Sequence, residues 1–333
     1  MTIRVGINGF GRIGMLTTKA LMRSGDLEVV AVNDVMPMES LSLLFERDST
    51  HGIWHEDVSF DGNILRGGER EMKTFSEREP SRIPWGDVDV DIVVESSGRF
   101  TSGEAAAGHL EGGAKKVIVS APAKGADATF IYKVNHESYD PESHDVVSNS
   151  SCTTNCIIQM VKVLQDSFGI ESGYMTTCHA YTNDQSLLDA AHRDPRRARG
   201  AAQSIIPTST GAARVVGLIF PALRGRVDGM ALRVPIPDGS ITDFVAQVGR
   251  EASVEEVNPA FERAAEGEME DILEYSEAPL VSSDIVGNPA SCIFDSALTM
   301  SVGRTVKVLG WYDNEWGFSN RTADLVRYIG RRL

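Results

Sequence analysis

The sequence predicts an α/β chain: a doubly wound parallel sheet first, then an α+β region built on a largely antiparallel sheet. Three observations predict it. Short apolar strand patterns alternate with helical patterns through the first 150 residues, which is the order of a parallel sheet with crossover helices. Beyond residue 151 the strands lengthen and alternate apolar with polar residues, as antiparallel strands with one covered face do. Between the first strand and the first helix lies GINGFGRIG, a glycine loop at the junction where such sheets bind ligands.

The elements follow in order. Residues 3 to 8, IRVGIN, are apolar and β-branched and read as a buried strand. GRIGMLTTKALMRSG carries helical periodicity, with Gly25 as its C-cap. LEVVAVND, VDIVVES, KKVIVSA and DVVSN read as further strands, and SGEAAAGHLEGG as a helix among them. A helix from about 152 to 166 opens the second region. Its strands are GYMTTCHAYT, RVDGMALRVPIP, SITDFVAQVG, SCIFDSALTMSV and TVKVLGWYD, with GAARVVGLIFPAL as a helix and a long polar stretch over 183–204. SNRTADLVRYIGRRL is an amphipathic closing helix. The expected division is a nucleotide-binding domain over 1–151, joined by the C-terminal helix 316–333, and a catalytic domain over 152–315.

The net charge of −15 leaves no electrostatic footprint for nucleic acid or an anionic membrane. A local basic run, HRDPRRARG (192–200), still offers an anion site. The N-terminus runs straight into a strand with no secretory pattern. Apolar runs such as VVGLIF are far shorter than a membrane span. The expected location is the cytoplasm, where the four cysteines stay reduced.

Gly9, Gly11 and Gly14 form G-x-G-x-x-G. Alone the pattern is weak, and a plain strand–helix turn would satisfy it. Here a strand precedes it, a helix follows, and Asp34 closes the next strand 20 residues after Gly14. Gly9 allows the tight turn, Gly11 the approach of a pyrophosphate, and Gly14 close helix packing, while the helix N-terminus attracts phosphate. Asp34 is placed to accept from the adenosine ribose hydroxyls. Its charge favours NAD over NADP, because it repels a 2′-phosphate.

SNSSCTTNC holds Cys152 and Cys156. With Ser150 or Ser151 as N-cap, Cys152 falls in the first helical turn, where the helix dipole is expected to lower its pKa and expose a thiolate near neutrality. Cys156 lies one turn deeper among core-like neighbours and reads as packing. A metal pair would need two further ligands, and none is evident. A proton carrier is required, and His179 in TTCHAYTND has the best setting of the seven histidines. A strand-end histidine is as readily a buried structural residue. His51 and His55 are spaced i,i+4 but read as loop residues, not a metal pair.

At this point the residues resemble phosphorylating glyceraldehyde-3-phosphate dehydrogenases along essentially the whole chain. INGFGRIG, VVAVND, DSTHG, IPW, SNSSCTTNC, HAYT, RRARGAAQSIIPTSTGAA, GMALRVP, VSSDIVG and WYDNEWGFSNR carry the resemblance. It implies that Cys152 attacks the aldehyde carbon of glyceraldehyde 3-phosphate, with His179 as general base. Hydride then passes to the nicotinamide, and inorganic phosphate releases the thioester as 1,3-bisphosphoglycerate. Thr182 and Arg233, with Arg197, are implied at the substrate phosphate. Ser151, Thr153, Thr210 and Gly211 are implied at inorganic phosphate. Asn8, Arg12, Ile13, Ser96, Gly98, Ser120 and Asn314 complete the implied cofactor set, Asn314 at the carboxamide. The resemblance also implies a homotetramer, with residues 183–204 reaching a neighbouring subunit, and no resident metal. The blander reading of Arg197 is a surface member of the basic run, and of Arg233 a structural ion pair.

Four positions depart from the family pattern. Cys178 stands where a β-branched residue is usual, Phe318 where tyrosine is usual, and Arg99 where a small or apolar residue is usual. Ala191 replaces a proline usual in strictly NAD-dependent members, and Val35 and Met36 follow Asp34 in place of a different pair. The expectation is that NAD is preferred and NADP tolerated. The nearest rival within the superfamily is erythrose-4-phosphate dehydrogenase, against which PTSTGAA and Thr182 keep the phosphate-acceptor pattern. The rival of another class is a non-catalytic nucleotide-binding protein, which has no need of both Cys152 and His179.

Overall fold

A computed structural model describes residues 2–333. The chain divides into two compact units: residues up to Ser150 together with Ser319–Leu333, and Ser151–Phe318.

The first unit is built on a nine-stranded sheet. Ile3–Asn8 lies at its centre, parallel to Leu27–Asn33 on one side and to Ile92–Glu95 on the other. Lys116–Val119, Val146–Ser148 and Ala128–Thr129 continue the parallel order outward. Ile92–Glu95, Lys116–Val119 and Val146–Ser148 are buried at every residue. This is the run of apolar residues that a sheet covered on both faces demands. On the other edge, Arg70–Phe75 pairs in parallel with Leu27–Asn33, and Ile64–Gly67 and Val58–Asp61 add an antiparallel meander. Sequence reasoning did not foresee that meander, because its strands are short and rich in charge (REMKTF, VSFD).

Three elements differ from expectation. The first helix, Arg12–Met22, ends before Gly25. Arg23 closes it in the right-handed region, its N–H reaching the Ala20 carbonyl and the Ser24 N–H the Leu21 carbonyl, so no left-handed glycine is needed. The helix expected over SGEAAAGHLEGG is two single turns, Gly103–Ala106 and Gly108–Glu111. A Cβ at Gly103 would stand 2.0 Å from the Gly125 carbonyl oxygen, so the segment keeps glycine and loses helical persistence. SCIFDSALTMSV is not one strand but two, Cys292–Asp295 and Met300–Val302, separated by the tight turn Ser296–Leu298. Both pair with the same strand, Thr305–Tyr312. The helices Met38–Glu46 and Val254–Ala265 were also unforeseen, the second opened by a capping box of Ser253 and Glu256.

The second unit is a mostly antiparallel eight-stranded sheet. Ile170–Ala180 runs beside Val227–Val234 in parallel and beside Ser240–Val248 antiparallel. Thr305–Tyr312 follows antiparallel to Ser240–Val248. The helix Cys152–Phe168 buries Cys156, Ile157, Met160, Val161 and Leu164 completely, so its apolar stripe faces the core. Among the described residues, no helix is long and apolar enough to cross a membrane.

Candidate functional site

In the first unit the three loop glycines do different things. Gly9 has φ +90°, and a Cβ there would lie 2.4 Å from the backbone of Ser97. A Cβ on Gly14 would lie 2.0 Å from the Gly9 carbonyl oxygen. Gly11 has ordinary extended backbone, φ −83°, and nothing within 4 Å of a built Cβ. Only Gly11 is therefore free of an internal reason to be glycine. It is also the N-cap of Arg12–Met22 and brings no side-chain cap to the helix. Open space, bare helix N–H groups and the dipole together suit a phosphate.

Asp34 is only half-buried. One of its oxygens accepts from the Phe10 N–H at 2.7 Å and the other from the Met36 N–H at 2.9 Å. It is thus anchored to the glycine loop itself. Arg12 donates to Asp48 at 3.1 Å. Burial works against the Asp48 charge, but the His51 ring, the amides of His51 and Thr50, and Arg12 outweigh it and hold the carboxyl well below its usual range. Ser96 donates its hydroxyl to the Gly9 carbonyl at 2.8 Å, and Ser120 donates to the Glu95 carbonyl at 3.0 Å. Gly98 needs its glycine, with φ +70°. Ile13 follows Arg12 in the first turn and is partly exposed. Asn8 has no free side-chain group: its amide donates to Glu95 and its oxygen accepts from Asn33.

In the second unit Ser151 caps the helix, its hydroxyl accepting from the Thr154 N–H at 3.2 Å. Cys152 is the first helical residue, and its Sγ lies 3.3 Å from Nε2 of His179. The pairing that the sequence left open is thus present. His179 is almost fully buried near the end of Ile170–Ala180. Its Nδ1 lies 2.7 Å from the Ala180 carbonyl. Arg233, its register neighbour on Val227–Val234, places Nη1 2.9 Å from Nδ1 and 3.0 Å from the same carbonyl.

Burial works against the expected thiolate. It pushes the Cys152 thiol up to about 11, against the pull of Arg233 and of the Thr153 hydrogen bonds. Burial and then Arg233 bring His179 down to about 3. Desolvation thus opposes the charge that the helix N-terminus favours on sulfur.

The other predicted residues are accounted for one by one. Thr153 is buried and shares a hydrogen bond with the Tyr312 hydroxyl at 3.0 Å. Thr182 accepts the Gln185 N–H at its carbonyl and keeps a half-buried side chain. Arg197 is held by Asp184, by Thr208 at 2.8 Å and by the Ser209 carbonyl at 3.3 Å. Thr210 accepts from the Ala212 N–H at 3.2 Å, and Gly211 stands exposed at the start of Ala212–Ile219. Arg233 Nε is buried with no hydrogen bond, an orphan donor that an anion would satisfy. Asn314 accepts at Oδ1 from the Ser240 hydroxyl at 2.6 Å, and Ser240 in turn accepts from the Ala180 N–H. Sequence reasoning missed Ser240 and Tyr312. Tyr312 sits in the quoted WYDNEWG block, bridges Thr153 and Thr177, and has its ring 6.0 Å from that of His179. Nothing local marks Ser240.

A dinucleotide-type glycine loop in one unit and a thiol–imidazole pair in the other are the features of a nucleotide-dependent oxidoreductase. Comparison with known proteins makes the class specific. Residues 3–103 match the glyceraldehyde 3-phosphate dehydrogenase NAD binding domain, and residues 151–314 match the C-terminal domain of the same family. The chain is 53% identical over 335 residues to glyceraldehyde-3-phosphate dehydrogenase 2 of Streptomyces avermitilis, covering 100% of both chains. It is 53% identical over 333 residues to the glyceraldehyde-3-phosphate dehydrogenase of Geobacillus stearothermophilus, covering 100% of this chain and 99% of that one. Against the Mycobacterium avium glyceraldehyde-3-phosphate dehydrogenase the figure is 53% over 340 residues. The chain belongs to the glyceraldehyde-3-phosphate dehydrogenase family.

Proposed function

We propose that this chain oxidises glyceraldehyde 3-phosphate with NAD and inorganic phosphate to 1,3-bisphosphoglycerate, in the cytoplasm and as a homotetramer. The observation that carries the chemistry is the 3.3 Å approach of Cys152 Sγ to His179 Nε2. The first unit is assigned to the cofactor, the second to catalysis. The open space beside Gly11, at the N-terminus of Arg12–Met22, suits the pyrophosphate of a dinucleotide.

The steps follow from the side chains. With Nδ1–H donated to the Ala180 carbonyl, Arg233 Nη1 donates to that carbonyl and not to Nδ1, and His179 presents the Nε2 lone pair to the thiol. Neither group needs to be charged at rest. The S–H proton passes to Nε2 as Sγ bonds to the aldehyde carbon, so charge develops only as the bond forms. The result is a thiohemiacetal on Cys152. Bound NAD would supply the hydride acceptor for that carbon, while His179 holds the proton released at Nε2 and Cys152 is left carrying the acyl group as a thioester on Sγ. A phosphate oxygen then attacks the thioester carbon and the Cys152 sulfur leaves. Arg233, with an unsatisfied Nε, and Thr182 hold the substrate phosphate, with Arg197 close to both anions. Ser151, Thr153, Thr210 and Gly211 form the cradle of the attacking phosphate. Thiol and imidazole supply nucleophile and base, so the proposed chemistry calls for no metal. Asn314 holds the carboxamide, and Asp34 favours NAD while NADP is tolerated.

The test is initial rates of nicotinamide reduction with glyceraldehyde 3-phosphate and with erythrose 4-phosphate, each with and without phosphate and with NAD and NADP. Phosphate-dependent turnover preferring glyceraldehyde 3-phosphate and NAD is expected. Phosphate-independent turnover removes the acceptor-site assignment. NADP efficiency more than about tenfold above NAD, a difference of roughly 1.4 kcal/mol, removes the cofactor assignment.

A further inference from the structure

We propose that Glu95 is a positioning residue of the cofactor site, the common end of two hydrogen-bond relays that hold the glycine loop and the neighbouring Ser96–Gly98 loop in their binding geometry. The proposal rests on the reading of the Gly9 crevice as the NAD site.

The first relay runs across the carboxyl edge of the parallel sheet. Asn33, Asn8 and Glu95 are the last residues of three adjacent strands, and Asn8 is in register with both of the others. All three are buried. Asn33 donates its amide to Asn8 Oδ1 at 2.8 Å, and Asn8 donates its own amide to Glu95 Oε2 at 2.5 Å. At the far end Asn33 Oδ1 accepts from the Glu77 N–H at 2.8 Å. These three bonds all point towards Glu95, while the Asn33 amide also donates back to the Glu77 carbonyl at 2.9 Å.

The second relay comes from behind. Trp85 donates its indole N–H to His109 Nδ1 at 3.0 Å. An indole nitrogen can only donate, so Nδ1 is the acceptor and the ring hydrogen sits on Nε2. That nitrogen lies 2.9 Å from Glu95 Oε2. The tautomer of the fully buried His109 is therefore fixed by its neighbour. The other carboxylate oxygen accepts from the Ser97 N–H at 2.8 Å and from the Ser97 hydroxyl at 2.5 Å.

Four donors converge on one side chain, two on each oxygen. Only a carboxylate accepts at both ends; the Ser97 hydroxyl could reverse, but an amide would still turn an N–H group toward the Ser97 N–H or toward Asn8 and His109. Neither relay has slack. His109 is locked by Trp85, and flipping Asn8 would set its amide against that of Asn33. The ligand side is equally direct. The Ser97 backbone that Glu95 holds is what a Cβ on Gly9 would strike, and the Gly9 carbonyl is what a Cβ on Gly14 would strike. Glu95, Ser97, Gly9 and Gly14 thus form a stack with no spare space, ending where a dinucleotide crosses the sheet.

The experiment uses full-length Glu95→Gln, His109→Leu and His109→Gln. NAD affinity is measured by titration calorimetry, kcat at saturating NAD by turnover, and the fold by the iodoacetamide alkylation rate of Cys152, which lies in the other unit. Glu95→Gln is expected to bind NAD about ten- to hundredfold more weakly, as loss of one or two charge-assisted bonds implies. Its kcat at saturation and its alkylation rate stay within about twofold of wild type on this reading. Both His109 variants lose the ring, so they share any packing defect. His109→Gln can still accept from Trp85 and donate to Glu95, and should recover most of the affinity that His109→Leu loses. Wild-type NAD affinity in Glu95→Gln, or equal affinities in the two His109 variants, would overturn the proposal. So would parallel loss of affinity and alkylation rate in Glu95→Gln. A wild-type chain that binds no NAD would overturn this proposal together with the cofactor assignment beneath it.

Discussion

Alanine at Gly14 and at Gly11 should separate packing from ligand approach within one loop. At Gly14 the new methyl would stand 2.0 Å from a carbonyl oxygen of the backbone, with Ser96 Oγ at 3.0 Å. The Gly9 peptide must then withdraw by more than about 1 Å, a forced displacement of the overpacking kind, worth about 1–3 kcal/mol. Helix propensity returns up to ~1 kcal/mol of that. The net loss is roughly 1–2 kcal/mol, or a fall in Tm of about 2–8 °C at this unit size. At Gly11 nothing stands within 4 Å and φ is −83°. Loss of a glycine N-cap costs a few tenths of a kcal/mol to about 1, so Tm should fall by no more than about 4 °C. The methyl would nonetheless occupy the space assigned to the pyrophosphate, and NAD affinity should fall about tenfold or more. Calorimetric melting without cofactor and NAD titration read the two effects apart. Wild-type NAD affinity in Gly11→Ala would refute the close-approach reading. An unchanged Tm in Gly14→Ala would refute the packing reading.

Further outcomes are expected at the cysteine site. His179 is held near 3 when folded and returns to about 6.5 when unfolded. Between those values the unfolded chain binds a proton that the folded one refuses, so stability falls as pH drops below about 6.5. Cys152, raised to about 11, gives the opposite limb, with stability falling as pH climbs from about 9. Melting curves against pH should show a shallower acid limb in His179→Gln, and identical limbs would contradict this account. His179→Asn should lower kcat by about 10²–10⁴ with NAD affinity retained; full turnover would remove the general base. Ser151→Ala removes the cap on Cys152–Phe168 and should cost about 1 kcal/mol, seen as a lower denaturant midpoint. Arg233→Lys should raise KM for the aldehyde substrate about tenfold or more by losing the planar fork. Arg233→Gln, which removes the charge, should move the acid limb of kcat/KM upward, because the guanidinium is one of the groups that lower His179.

Periodicity carried most of the fold. IRVGIN and KKVIVSA were legible because a sheet buried on both faces leaves only apolar β-branched choices. Val58–Asp61, at the sheet edge, and Arg70–Phe75 were not, since short charged strands with residues left in water look like loops. At the site, Cys152 and Ser151 could be read locally because capping is a rule of sequence neighbours. The Cys152–His179 distance could not, as it depends on where Ile170–Ala180 ends. The burial that opposes a charged pair was not legible for the same reason. A dipole can be read from one helix, whereas desolvation depends on everything packed around it. Glu95 and His109 drew no notice, since a buried relay is assembled from residues that are ordinary in their own segments.

The closing helix, Trp316–Gly330, has a consequence for truncation. Its later part belongs to the first unit: Leu325, Val326 and Ile329 are fully buried, and Arg327 and Arg331 both bond Asp26. A Cβ on Gly330 would press into Ile3. The central strand of the first sheet is therefore finished by a helix that lies beyond the whole of the second unit in the sequence. A chain cut before Ser319 would keep every residue of its second unit but lose part of its first.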